Sequence, residues 1–133
     1  MKNQVTLTIT SLISIVLFSL HWADEVARGI EPGNGSAVGG LVILAVWLCA
    51  TLLLAERRLG LVLILLGALL AAGVPVLHMQ GKGLIGGRIA ASSSGALFWV
   101  WTLIALNASG TLSFVLSVRA LWDMRRPSVP RSS

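Results

Sequence analysis

Four long apolar runs, separated by short polar stretches, set the pattern of this chain. A helix that crosses a bilayer needs about 20 mostly apolar residues, because the hydrocarbon core is ~30 Å thick and each residue advances the helix by ~1.5 Å. The pattern predicts spans at about 5–22, 37–55, 59–79 and 95–121, with no charge inside the second and Arg119 near the end of the fourth. The predicted fold is all-α: a four-transmembrane-helix bundle, up-down-up-down, forming one domain over residues 1–123. Residues 124–133 carry two prolines and three arginines and read as a disordered basic cytoplasmic tail.

The polar stretches fit that scheme. Glu56-Arg57-Arg58 makes a tight turn between the second and third runs, so these two form an antiparallel hairpin. Glu31-Pro32-Gly33-Asn34-Gly35-Ser36 is a turn cluster, and 80–94 is a second loop rich in glycine and serine. The first run resembles a signal peptide in having Lys2 before an apolar stretch, but no pair of small residues comes after it as a cleavage site needs, so it reads as retained. Basic residues favour the cytoplasmic side. One side would hold Lys2, Arg57, Arg58, Arg119, Arg125, Arg126 and Arg131, and the other Arg28, Lys82 and Arg88, which predicts both termini inside.

Composition strengthens the membrane reading. Hydrophobic residues make up 56% of the 133 and charged residues 11%, against about 25% charged in a soluble domain. The formal net charge of +5 lies between and after the apolar runs. It points to topology and lipid headgroups, with Arg57, Arg58, Lys82 and Arg88 as headgroup contacts, rather than to nucleic acid. The single cysteine, Cys49, sits in an apolar run and reads as a packing residue.

In lipid, helices are held together by close approach at small residues and by interhelical hydrogen bonds. Gly60, Gly67 and Ala71 on the third run, Ser109, Ser113 and Ser117 on the fourth, and Ala45 and Cys49 on the second mark the faces expected to point inward. The first run carries Thr6, Thr10 and Ser14 four apart, a stripe that continues through Leu17 and His21. Such hydroxyls can bond back to their own helix, so packing is one reading and a polar path the other. Asn107, near the middle of the fourth run, is expected to bond across helices. Trp22, Trp99, Trp101 and Trp122 fit an interfacial aromatic belt, while Trp47 is mid-run.

The densest charge cluster outside the tail is His21-Trp22-Ala23-Asp24-Glu25-Val26-Ala27-Arg28. If the helix continues through it, His21, Asp24 or Glu25, and Arg28 share one face. His78, the only other histidine, falls at the same outer end, three residues after Pro75, whose ring should interrupt the helix ladder and re-aim the last turn. Two histidines with two carboxylates would suit a divalent metal, and two histidines on facing helices would suit a haem. The bland alternatives are an ordinary Asp24–Arg28 helix pair and interfacial anchoring by His and Trp. The chain has no HExxH, CxxC or CxxCH.

The pattern His21-x-x-Asp24-Glu25-x-x-Arg28-Gly29, with Ala72-Gly73-x-Pro75-Val76-Leu77-His78, resembles small bacterial four-helix integral membrane proteins to which no function is assigned. The resemblance implies an inner (cytoplasmic) membrane location and brings no activity. Small multidrug transporters and fluoride channels share the size. The former carry a glutamate within the first helix, where this chain has no acidic residue before Asp24, and motifs of the latter are absent. Three functions stay open. One is a non-enzymatic binding or accessory membrane protein with a polar outer rim. The second is a small transporter or channel acting as a homo-oligomer or in a larger membrane complex. The third is a haem- or metal-binding redox protein using His21 and His78.

Overall fold

The computed structural model describes residues 2–27, 34–79 and 96–125; within these, side chains are described except at 2, 34–37, 77–79 and 96. Every described element is helical. The helices are α1 (Lys2–Ala27), α2 (Asn34–Leu53), α3 (Arg58–Met79) and α4 (Ala96–Asp123). Three of them contain stretches long and apolar enough to cross a membrane: Asn3–Ala27, Arg58–Val76 and Leu97–Asp123. Within α2, the residues whose side chains are described form the apolar stretch Val38–Leu53. The helices outrun the spans expected from hydropathy at both ends of α1, which carries the His21–Glu25 segment into regular helix. At the other end of the described residues, the Met124 and Arg125 N–H groups donate to the carbonyls of Ala120 and Trp122, while the expected tail from 126 onward lies outside the described residues.

Neighbouring helices run antiparallel, as the pairing shows. His21 meets Thr102 and Ser14 meets Ser109 between α1 and α4. Ser11 meets Trp47 and Thr51 between α1 and α2. Asn107 meets Ala72 between α4 and α3. The packing is most extensive between α3 and α4, then between α1 and α4; α1 and α3 touch narrowly, and α2 and α4 do not meet among the described residues. The α2–α3 connection is a tight turn. Leu54 N–H donates to Ala50 O at 3.2 Å, Arg57 N–H to Leu54 O at 2.9 Å and Leu61 N–H to Arg57 O at 3.0 Å. A Cβ at Gly60 would coincide with the Leu54 carbonyl, so the turn requires glycine there.

Small residues set the helix contacts, though not always those expected. Gly67 faces the Trp47 indole, which occupies the space a Cβ would take. Gly40 likewise receives the Trp22 ring, 2.7 Å from where its Cβ would be. Gly110 sits against the α3 backbone at Ala68–Ala72. On α2 the expectation fails: Cys49 and Ala45 are exposed, and the inward face is Trp47, Ala50 and Thr51. The large ring decides this. Only by turning Trp47 inward does the indole fill the notch at Gly67 and place its N–H 3.0 Å from Ser11 Oγ. The expected faces of α3 and α4 hold, with Gly60, Gly67, Ala71, Ser113 and Ser117 all buried.

The helix α3 passes through Pro75 without interruption to Met79. Proline lacks the N–H that would serve the Ala71 carbonyl. The next carbonyl, Ala72 O, accepts the Asn107 side-chain amide at 2.8 Å. Asn107 thus makes the interhelical bond expected of it while lying on an exposed face. Replacing Asn107 with leucine is expected to cost about 0.6–1.7 kcal/mol, the range for side-chain hydrogen bonds between membrane helices. Reversible unfolding of the chain in mixed detergent micelles measures it.

Candidate functional site: a buried imidazole–carboxylate centre between α1 and α4

Because α1 stays helical to Ala27, positions 21 and 25 lie one turn apart on one face. That face points at α4. His21 is 2% exposed and Glu25 6%, so the expected outer rim is in fact an interior. His21 Nε2 lies 3.4 Å from Glu25 Oε1. On the other side of the ring, Nδ1 is 3.2 Å from Thr102 Oγ1. The Thr102 hydroxyl donates to Trp99 O at 2.9 Å, which fixes its orientation. Its lone pairs therefore face the imidazole, and Nδ1–H would be the donor toward Thr102. The Trp99 ring tilts over the imidazole, with centroids 5.2 Å apart and planes at 49°.

This is a different centre from the one expected. Of the two adjacent carboxylates, Glu25 joins His21 and is buried, while Asp24 is only half-buried. Trp99, expected in an interfacial belt, is 2% exposed and serves as a wall of the site; Trp101 and Trp122 do lie on the exposed surface. Nothing in the sequence singles out Thr102. The only signal for it is its i+3 spacing from Trp99, which is common in any helix. Arg28, Lys82 and Arg88 lie outside the described residues. So does the His78 side chain. Its place in α3 is described: Asn107–Ala72 and His21–Thr102 together put residue 78 at about the level of His21 along the helices.

A haem iron needs an open imidazole nitrogen. In His21 each ring nitrogen faces a protein oxygen and one ring face is covered by Trp99. As placed, the His21 ring offers no open nitrogen to a haem iron; the other histidine of that expectation, His78, has its side chain outside the described residues. Among the described residues no group of three or more His, Cys, Asp or Glu side chains comes together to hold a metal ion. What the centre offers is an imidazole nitrogen and a carboxylate facing each other in one small buried volume, with the Thr102 hydroxyl orienting the ring from its other nitrogen; the facing pair is suited to a proton or a single cation.

Further along the α1–α4 seam lies a second set of hydroxyls. Ser14 Oγ donates to Thr10 O at 2.9 Å and lies 3.0 Å from Ser109 Oγ. Thr10 Oγ1 bonds back to Leu7 O at 3.1 Å. Ser113 and Ser117 are fully buried, and their hydroxyls have no hydrogen-bond partner among the described residues. The fully buried Leu103 and Leu106 on α4 separate this set from Thr102. Of the hydroxyl stripe read on the first helix, Thr10 and Ser14 are buried but Thr6 is exposed, and the buried hydroxyls do not run unbroken to the His21 centre. Comparisons with family models, with curated proteins and with solved structures give no match for this chain.

Proposed function

We propose that this chain is an integral membrane protein of the binding or accessory class, a four-helix bundle with both termini on the cytoplasmic side, whose working centre is the His21–Glu25 pair. One observation carries the proposal: an imidazole and a carboxylate are paired and almost wholly buried between long apolar helices. Ionisable groups are expensive in such surroundings and are kept there for function. The exposed face of α1, with Val5, Ile9, Ile13, Val16 and Leu20, is a continuous apolar stripe that suits lipid. Seven basic residues against three support the orientation. With Nε2 of His21 and the carboxylate of Glu25 as the facing lone-pair donors, the centre binds a cation, either a proton or a divalent metal ion. The bland alternative, a structural polar pair, makes a different prediction.

The test uses the full chain in lipid nanodiscs. Tryptophan emission is followed as protons, and separately Zn²⁺, are added to wild type, Trp99→Phe and His21→Gln. Trp99 lies against the imidazole, so binding at His21 should alter its emission, and the change should vanish in both variants. Unaltered wild-type emission through both titrations would sink the binding reading and leave a structural pair. Thiol labelling of single cysteines placed at positions 3 and 124, with Cys49 replaced, checks the orientation in intact cells. Labelling of either from outside would contradict it.

A channel or transporter remains the second reading, favoured by the unpartnered Ser113 and Ser117 hydroxyls beside the Ser14–Ser109 pair. It requires a route past Leu103 and Leu106.

A further inference from the structure

At the end of the helices opposite His21, α1, α3 and α4 splay around a pocket of about 480 Å³. Its polar wall is Asn3, Glu56, Arg119 and Asp123, and its floor is Leu61, Leu116 and Ala120. Neighbouring Gln4 is tied down by a bond from its amide to Ala55 O. Three charges therefore line one cavity: a guanidinium from α4, a carboxylate from the last turn of α4, and a carboxylate from the α2–α3 turn. Among the described residues none of these three makes an ion pair. These exposed charges of both signs share one cavity without meeting, which leaves each able to take a partner of the opposite sign.

We infer that this pocket binds the headgroup of a zwitterionic aminophospholipid, with Arg119 on the phosphate and Glu56 and Asp123 on the ammonium. The inference rests on the membrane reading above, which puts this end of the helices at headgroup depth. The chemistry selects among lipids. A guanidinium matches a phosphodiester oxygen pair. Two carboxylates accept the N–H donors of a primary ammonium, which a quaternary ammonium lacks. The same two carboxylates repel an anionic headgroup. The apolar floor takes the glycerol and the first methylenes, which a free phosphate or a soluble phosphoethanolamine does not have. The volume lies within the usual range for small-molecule sites, about 300–1,000 Å³.

The experiment offers the full-length chain an equimolar mixture of phosphatidylethanolamine, phosphatidylcholine and phosphatidylglycerol in detergent, and counts retained lipids by native mass spectrometry. Wild type should retain phosphatidylethanolamine about threefold over each competitor, the scale of an exposed ion pair. The double variant Glu56→Gln, Asp123→Asn should lose that preference, and Arg119→Gln should lower retention of all three. Equal retention by wild type, or an unchanged ratio in the double variant, would overturn the assignment. Displacement by glycerophosphoethanolamine at concentrations equal to the lipid would also overturn it, because that would assign the site to the free headgroup. Alkaline extraction of membranes is run beside it. Release of wild type would defeat the membrane reading as a whole, whereas a retained chain without lipid preference defeats only this pocket.

Discussion

Trp47→Ala is expected to be the most damaging single substitution in the chain, lowering stability by about 3–5 kcal/mol, the range for a large buried ring cut back to a methyl. Trp47 is 2% exposed. Its indole lies in the notch at Gly67 on α3, and its edge meets Phe18 of α1, with centroids 6.4 Å apart and planes at 68°. Its N–H donates to Ser11 Oγ at 3.0 Å, and Ser11 Oγ is 2.8 Å from Thr51 Oγ1. One side chain thus joins three helices. On the membrane reading proposed above, gathering apolar surface contributes little between helices, so the loss falls on dispersion contacts and on the hydroxyl pair left behind. Trp47→Phe keeps much of the volume and gives up the N–H, so it should cost about 1 kcal/mol. Equilibrium unfolding in mixed micelles separates the two. If Trp47→Ala cost no more than Trp47→Phe, the ring would not be joining the helices.

The second large effect is expected at Gly110. A Cβ there would lie 2.8 Å from Ala72 N, 2.9 Å from Ala71 Cβ and 3.1 Å from Ala68 O. Most of that obstruction is backbone, which cannot step aside as a flexible side chain can. Gly110→Ala must push α3 and α4 apart and stretch the Asn107–Ala72 bond. Overpacking of this kind costs about 1–3 kcal/mol, while replacing a helical glycine by alanine returns about 1 kcal/mol. The clash wins, and Gly110→Leu should be worse than Gly110→Ala. Gly73 in α3 provides the opposite case. Nothing lies within 4 Å of its would-be Cβ, so Gly73→Ala should be neutral or stabilising by up to about 1 kcal/mol. Equal losses at Gly73 and Gly110 would mean that close approach is not what Gly110 provides.

Much of the candidate site is legible in the sequence. The spacing of Thr6, Thr10, Ser14 and His21 places them on one face of α1; Thr10, Ser14 and His21 are buried, whereas Thr6 is exposed. Asn107 is expected to bond across helices and does. Glu25 as the partner of His21 is one of two options, and the i, i+4 geometry of an uninterrupted helix chooses it over Asp24. Trp99 and Thr102 are not legible as site residues. A tryptophan near a helix end is as suitable for an interface as for a wall, and nothing local to 99–102 tells the two apart.

The faces of α2 show the same boundary. The run is apolar almost all round, so no stripe marks an inside. Small-residue spacing points to Ala45 and Cys49, yet both are exposed. The choice rests on the fit of one indole, Trp47, to one glycine on the next helix, Gly67, which periodicity does not encode.

Composition and the four apolar runs by themselves determined that the chain is helical and that a tight turn falls at Glu56-Arg57-Arg58, because these depend on local propensity; the expected turn cluster at 31–36 is cut short by α2, which already begins at Asn34, and the loop at 80–94 lies outside the described residues. Only the tertiary structure decided which side of each apolar helix is inside, that His21 and Glu25 lie in an interior rather than on a rim, and that Arg119, Glu56 and Asp123 share a pocket. Those outcomes depend on shape complementarity between helices distant in sequence, and a uniformly apolar helix carries almost no record of it.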